Sequence, residues 1–189
     1  FSFMKNNISY NEISLAKRHL KKLNMSICEK NETQHFYING ADVTNEIRSN
    51  EVSKNVSKIS SLDFVRDKMV ETQRKYAKEK SIIVEGRDIG TVVFPKADFK
   101  FFLFADEKVR AKRRQKDLIR NSENQSLEEL IDEIRLRDKL DSERENSPLM
   151  KAKDAIVIDT SVMTIDEQVD FIIDAIRSNM KGKKNEWKF

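Results

Sequence analysis

The residues best suited to chemistry are an arginine and an aspartate that stand side by side after a short apolar run. The run at 82–84 breaks at Gly86, and Arg87 and Asp88 follow it. Such a run predicts a buried strand, and open α/β sheets bind ligands just beyond the carboxyl ends of their strands. A guanidinium and a carboxylate at that point can hold the phosphate and the base or sugar of one small ligand. From this stretch alone, an ion pair at a strand end is an equally good interpretation.

A second charged set lies on a helix predicted over 126–144. Arg137, Asp141 and Arg144 are spaced i, i+4 and i+7, which places them on one helix face. Two arginines around one aspartate leave surplus positive charge, which suits the negative oxygens of a transferring phosphoryl group. Taken alone, the set is more typical of a ladder of salt bridges within the helix. A basic face on the helix predicted over 107–120 is likewise, taken alone, more typical of a solvated surface.

These residues need a scaffold, and the pattern after residue 81 predicts one. Continuous apolar runs at 101–104 and 155–158 predict two further strands, with helical segments between them. Continuous rather than alternating apolar runs are typical of a parallel sheet that helices cover on both faces. We therefore predict an α/β fold built on a parallel sheet.

Two of the predicted helices begin with capping boxes, in which two side chains satisfy free backbone amides of the first turn. Ser126 and Glu129 form one box, and Thr164 and Glu167 form the other. Apolar positions repeat along both helices with the helical period, so we expect one face of each helix to be buried. These positions are Leu127, Leu130, Ile131 and Ile134 in the first helix and Ile165, Val169, Ile172, Ile173 and Ile176 in the second.

The chain before residue 79 follows a different pattern. Asn39 and Gly40 separate two short β-like runs, and both residues tolerate positive φ, so we predict a hairpin with a type I′ turn. With two polar helices this hairpin forms a block at 25–78, which we interpret as an insertion carried by the main sheet. Helices are predicted over 11–23, 44–60 and 62–78.

Composition argues against several classes of protein. The 189 residues carry 36 basic and 32 acidic side chains, and the interleaving of the two signs argues against a nucleic-acid interface. No apolar run approaches the roughly 20 residues that span a bilayer. Cys28 is the only cysteine, which rules out an internal disulfide and suits a reducing cytoplasm. One cysteine and two histidines cannot build a structural zinc site, so no metal ligands are assigned.

Ordered motifs along most of the chain resemble those of bacterial cytidylate kinases. The block at 86–95, GRDIGTVVFP, is nearly diagnostic of that family, and the resemblance runs from about residue 38 to residue 176. Several matches in the same order make chance a poor explanation. The other motifs are NGADVT at 39–44, EVSKNVS at 51–57, VRAKRR at 109–114, IRLRD at 134–138, DSER at 141–144, SPL at 147–149 and DAIVIDTS at 154–161.

The resemblance implies an adenylate-kinase-like P-loop nucleoside-monophosphate kinase fold that transfers the γ-phosphoryl group of ATP to CMP or dCMP with Mg²⁺. It implies a core at 1–24 and 79–178, a lid at about 113–144 and a tail at 179–189. The insertion at 25–78 would be the monophosphate-binding subdomain. The implied partners are the small molecules CMP, dCMP and ATP, and we expect a cytoplasmic monomer without nucleic-acid or membrane partners.

By the same resemblance, Ser57, Arg66 and Asp88 would recognise the cytosine ring. Cytosine offers an exocyclic amino donor, which the Asp88 carboxylate and the Ser57 hydroxyl can accept. The N3 and O2 atoms of the ring accept hydrogen bonds, and Arg66 can donate them. Uracil reverses the polarity at two of these positions, so we expect CMP to bind more tightly than UMP.

The resemblance also implies which residues meet the phosphates and the ribose. Arg87 and Arg144 would hold the phosphate of CMP, and Arg137 and Asp141 would contact its ribose. The catalytic residues would be Arg87, Arg137 and Arg144. The residues near the lid, on the ATP side, would be Arg113 and Arg114.

A phosphate-binding loop is the feature of the family that these 189 residues lack. ATP-dependent phosphoryl transfer normally uses the motif Gly-x-x-x-x-Gly-Lys-Ser/Thr, and none of the four glycines begins it. In the family this P-loop lies at the N-terminus, and Phe1 would follow shortly after it. We therefore expect an N-terminally truncated chain that lacks the first two strands of the sheet, and that is poorly folded and inactive by itself.

Other functions remain open from the sequence. The chain could be a non-catalytic CMP-binding module that has lost its ATP site. An in-frame P-loop upstream of Phe1 would favour the enzyme, whereas an in-frame stop codon would favour the module. A kinase for UMP or AMP and a nucleic-acid-binding protein are further alternatives, and the last is the weakest because no basic patch is interleaved with aromatic residues.

Overall fold

The computed structural model describes residues 1–31, 33–78, 81–120 and 124–182. Within these ranges the chain forms a mixed α/β structure with two small sheets. It divides into two compact units, Phe1–Val84 with Arg144–Asn146, and Glu85–Glu143 with Ser147–Phe189. No helix among the described residues is long and apolar enough to cross a membrane.

The first unit contains a three-stranded antiparallel sheet. Strands β1 (Met25–Lys30), β2 (Thr33–Ile38) and β3 (Ala41–Asp42) pair in that order. Between β2 and β3, Asn39 has φ 51° and Gly40 has φ 83°, as a type I′ turn requires, so the hairpin prediction is confirmed. Strand β1 was not predicted, because its mixed sequence becomes a strand only by pairing with β2.

Helices complete the first unit. The predicted helices at 11–23, 44–60 and 62–78 are confirmed in type, although the second begins later than expected because the Thr44 hydroxyl accepts the backbone amide of Phe36. Four residues form the core of this unit: Phe3, Ala16, Leu20 and Val65. The helices are α1 (Ser2–Lys5), α2 (Ile13–Lys22), a 3₁₀ turn (Glu46–Arg48), α3 (Asn50–Ser60) and α4 (Asp63–Ala77).

The second unit contains two parallel strands and three helices. Strands β4 (Phe101–Phe104) and β5 (Ile156–Asp159) pair in parallel, which confirms that part of the sheet prediction. Helix α5 (Glu107–Arg120) packs against α6 (Leu127–Glu143) around Leu118 and Leu130. Helix α7 (Ile165–Gly182) extends into the predicted tail, of which residues 183–189 lie outside the described part.

Both predicted capping boxes are present. The backbone amide of Ser126 donates to the Glu129 carboxylate (3.0 Å), and the amide of Glu129 donates back to the Ser126 hydroxyl (3.2 Å). Thr164 and Glu167 make the same reciprocal pair, with distances of 2.7 and 3.2 Å. Hydrogen bonding holds the Glu167 carboxylate in its charged form and lowers its pKa. Local sequence therefore sets where α6 and α7 begin.

The strand predicted at 82–84 is wrong for this structure. Residues 81–85 form no regular structure, and the Ile83 side chain is fully exposed. A strand needs a neighbour for its backbone N–H and C=O groups, and none of the described strands pairs with this run. An apolar run is thus not sufficient to form a strand.

The expected burial of the sheet and of α7 is also wrong for this structure. Leu103 is 48% exposed and Val157 is 46% exposed, so the two-stranded sheet is not covered on both faces. Ile165 and Val169 on the apolar stripe of α7 are exposed as well. A periodic apolar stripe shows that a face can be buried, but burial also requires an opposing surface.

Candidate functional site

A compact turn carries Arg87 and Asp88. The carbonyl of Asp88 accepts the amides of Val92 (2.9 Å) and Val93 (3.2 Å), which closes one π-helical turn at Ile89–Val93. Asp88 is only 7% exposed, whereas the Arg87 side chain is partly exposed. The turn therefore buries the carboxylate and leaves the neighbouring guanidinium accessible.

Gly86 allows a close approach of the Ile89 side chain in this turn. A Cβ atom at this position would lie 2.8 Å from Cγ1 of Ile89, closer than real Cβ contacts. A side chain at position 86 would therefore force Ile89 or the turn to shift. Steric contact with Ile89 thus explains why a glycine suits position 86.

Arginines and aspartates form a connected cluster in the second unit. Nε of Arg87 lies 3.2 Å from Oδ2 of Asp141, and Nη1 of Arg87 lies 3.5 Å from Oδ1 of Asp138. Nη1 of Arg110 lies 2.7 Å from the second oxygen of Asp138, and Nε of Arg137 lies 3.7 Å from Oδ2 of Asp141. Three guanidiniums thus contact two carboxylates in one connected network.

Burial and crowding act on Arg137. Removal from water and the nearby Arg87 guanidinium both lower the pKa of Arg137, and Arg114 adds to the effect. An arginine still stays protonated, because its ordinary pKa exceeds 12. The positive charges are therefore held together against their mutual repulsion, which favours binding of an anion.

The three residues predicted to share one helix face do not all do so. Arg137 and Asp141 lie one turn apart on α6, as expected. Arg144 follows Glu143, the last residue of the helix, and belongs to the first unit. The helix ends here because the amide of Leu149 donates to the carbonyl of Asp141 (2.7 Å) and turns the chain back. The prediction of a single face is therefore wrong for Arg144.

Sequence reasoning missed Arg110 and Asp138 as members of the cluster. Arg110 was part of a basic helix face that we interpreted as solvated, yet its Nε donates to the carbonyl of Ala105 (3.0 Å). Asp138 lies three residues before Asp141, so the two carboxylates share one side of α6. This i, i+3 spacing was the available signal.

The residues predicted to recognise cytosine divide between the two units. Asp88 lies in the second unit, whereas Ser57 on α3 and Arg66 on α4 lie in the first, together with Arg144. Arg66 is buried, and its Nη1 donates to the carbonyl of Ser60 at 3.4 Å. Ser57 is partly buried.

Arg113, predicted to lie near ATP, is anchored to the loop after β5. Its Nη2 donates to the carbonyls of Thr160 (2.5 Å) and Met163 (3.4 Å). Beside it, α5 and this loop line an open pocket of about 290 Å³. The polar residues that line the pocket are Lys112, Arg113, Lys116, Ser161 and Thr164.

Comparison with known proteins identifies the family. The family model described as cytidylate kinase matches residues 1–178. The chain belongs to the cytidylate kinase family. Cytidylate kinase of Acholeplasma laidlawii is 50% identical over 152 residues, which cover 80% of this chain and 68% of the relative. Cytidylate kinase of Carboxydothermus hydrogenoformans is 41% identical over 184 residues, which cover 97% of this chain and 81% of the relative.

Membership of the cytidylate kinase family confirms the resemblance drawn from the motifs. The family implies a P-loop nucleoside-monophosphate kinase fold, with which the mixed α/β structure agrees at the level of fold class. The division into core, insertion and lid stays a prediction, and residues 121–123 of the lid lie outside the described part. The roles of the individual site residues likewise stay predictions.

Proposed function

We propose that these residues supply the acceptor side of an enzyme that transfers the γ-phosphoryl group of ATP to CMP or dCMP, giving CDP or dCDP. The observation that carries the proposal is the buried Asp88 beside the partly exposed Arg87, whose guanidinium contacts the carboxylates of Asp138 and Asp141. Family membership supports the reaction class.

The positive cluster suits the phosphate of the acceptor nucleotide. The guanidinium of Arg87 lies 3.2 Å from Asp141 and 3.5 Å from Asp138. Each of these carboxylates also contacts a second arginine, so neither neutralises Arg87 alone. A phosphate dianion accepts paired hydrogen bonds from arginine and carries more charge than a carboxylate. Arg87 and Arg144 bind the phosphate in this proposal, and Arg137 and Asp141 contact the ribose hydroxyls.

Burial of Asp88 supports discrimination between bases. A carboxylate with 7% exposure cannot readily be hydrated when it faces the wrong base. Cytosine donates its amino group to Asp88 and Ser57 and accepts from Arg66, whereas uracil presents a carbonyl to the carboxylate. Facing a buried carboxylate with a carbonyl oxygen instead of an amino donor costs about 1–3 kcal/mol, or about 5- to 150-fold in affinity.

Phosphoryl transfer also needs the donor nucleotide. The basic pocket beside Arg113 supports an ATP side at this end of the second unit, and Arg114 lies close enough to Arg137 to affect its pKa. Bound Mg²⁺ would neutralise charge on the transferring phosphates. Because the glycine-rich motif that cradles them is not among the 189 residues, we propose that this chain alone binds CMP without phosphorylating it.

The absent motif keeps a non-catalytic CMP-binding module as the second candidate. Titration calorimetry of the chain with CMP, UMP and AMP tests both, and we expect CMP to bind most tightly. Tighter binding of UMP would refute the role of Asp88. Appending the N-terminal segment of a relative that carries a P-loop should give ATP-dependent CDP formation if the chain is the acceptor side of a kinase. A correctly folded fusion that binds both nucleotides but forms no CDP would favour the module.

A further inference from the structure

Lys100 is a lysine with a largely covered side chain that the proposed reaction does not use. It stands directly before β4, and its carbonyl accepts the amide of Ile156 (2.9 Å) from the neighbouring strand. Its side chain is only 8% exposed although it carries a charge. A charged side chain is held in place by its hydrogen-bond partners, so the partners of this ammonium group indicate what it does.

The ammonium group of Lys100 uses all three of its donors. Nζ donates to the carbonyl of Pro95 (2.7 Å) and to both carboxylate oxygens of Asp154 (3.0 and 2.7 Å). These hydrogen bonds favour the charged carboxylate and lower the pKa of Asp154. Lys100 therefore connects the end of the 86–95 block to the segment that leads into β5.

The stem of Lys100 supports the middle of the same block. A Cβ atom on Gly90 would lie 3.3 Å from Cδ and 3.6 Å from Cγ of Lys100. Gly90 thus lies directly on the lysine stem, and a larger residue would press against it. One side chain holds the turn at two points, Gly90 in its middle and Pro95 at its end.

The turn transmits this support to the proposed nucleotide-binding residues. Its hydrogen bonds run from the amides of Val92 and Val93 back to the carbonyl of Asp88. Fixing Gly90 and Pro95 therefore fixes the backbone of Asp88 and of Arg87 before it. We propose that Lys100 is a positioning residue, which holds the 86–95 turn so that Arg87 and Asp88 keep the geometry that binds the nucleotide; this role rests on the proposed function.

A purely stabilising role for Lys100 is less consistent with its surroundings. Asp154 is 63% exposed, and exposed carboxylates can be rehydrated at little cost when their partner is removed. Pro95 is exposed too. Removing the ammonium group should therefore change overall stability little, while it releases the end of the turn.

The test uses the 189-residue chain labelled with ¹⁵N-glycine, because two of its four glycines lie in this turn. The variants are Lys100→Met, which keeps the stem, and Lys100→Arg, which restores a charged donor. Lys96→Met is the matched control, since Lys96 is an exposed lysine next to Pro95. Amide spectra report on the turn, and titration calorimetry reports on CMP binding.

We expect Lys100→Met to shift the Gly86 and Gly90 signals, to leave the Gly40 signal in place, and to weaken CMP binding about tenfold. Lys100→Arg should recover most of the affinity, and Lys96→Met should resemble the wild type. The urea midpoint should change little in all three variants.

Unchanged Gly86 and Gly90 signals, or CMP affinity within about twofold of wild type, would overturn the proposal, because about twofold is smaller than the loss of one such hydrogen bond. Collapsed glycine signals in the wild type would also overturn it, since the turn would then not form. If the turn responds to Lys100→Met but the wild type binds no CMP, the support of the turn stands and the proposed function fails. The two failures are thus distinguishable.

Discussion

Replacing Asp141 by asparagine tests whether the arginine cluster depends on this buried carboxylate. The Asp141 side chain is 4% exposed and lies between two arginines, with Nε of Arg87 at 3.2 Å and Nε of Arg137 at 3.7 Å. The substitution preserves the shape of the side chain and removes its charge. Two guanidiniums that repel each other would then remain without this carboxylate.

The expected cost follows from the geometry. A charge pair at about 4 Å is worth about 4 kcal/mol at the effective dielectric constant of 20 that suits sites near a protein surface. Desolvation of the carboxylate offsets much of this, and removing one partner of a fully buried pair costs about 3–5 kcal/mol. Arg87 and Arg137 are partly exposed and can be hydrated after the change. We therefore expect Asp141→Asn to lower the free energy of unfolding by about 2 kcal/mol.

Urea unfolding monitored by circular dichroism measures this loss. Asp132→Asn is the matched control on the same helix, because Asp132 is 80% exposed and lies 3.8 Å from Arg135. We expect the control to cost less than about 0.5 kcal/mol. If Asp141→Asn costs no more than Asp132→Asn, the carboxylate does not hold the cluster together and the reasoning from burial is wrong.

Two further predictions concern base recognition and acid stability. Asp88→Asn should weaken CMP binding about tenfold and remove most of the preference for CMP over UMP, as measured by titration calorimetry; an unchanged preference would show that Asp88 does not read the base. Hydrogen bonds from Thr44 and from His35 lower the pKa of Asp42, so the folded state favours its charged form. This contribution to stability is present above the ordinary aspartate pKa of about 3.9 and is lost as the pH falls below it. Asp42→Asn should therefore lower the urea midpoint at neutral pH, and the midpoint of the variant should fall less than that of the wild type when the pH is lowered. An equal fall of the midpoint in both proteins would show that Asp42 does not contribute to acid stability.

Local features of the fold were predictable because neighbouring residues determine them. Asn39 and Gly40 adopt positive φ at the hairpin turn, and the capping box of Ser126 and Glu129 starts α6. Each depends on backbone conformations or hydrogen bonds that span only a few residues. The apolar run at 82–84 failed as a predictor because its pairing depends on another strand.

The candidate site was only partly predictable for the same reason. Arg137 and Asp141 are one helical turn apart, so the sequence placed them together. The contacts of Arg87 with Asp138 and of Arg110 with Asp138 join segments that are far apart in the chain. No periodicity in the sequence reports such pairs, because they depend on how α5, α6 and the turn pack.

By itself, the amino-acid sequence determined the family, the order of the motifs, the hairpin turn and the starts of α6 and α7. Together with the other motifs of the family, it also indicated Arg87 and Asp88 as candidate binding residues. Only the tertiary structure decided that Asp88 is buried beside an accessible Arg87, and that Lys100 supports the turn which carries both. The physical reason is that short-range hydrogen bonds and sterics are encoded locally, whereas burial and long-range ion pairs arise only when distant segments pack together.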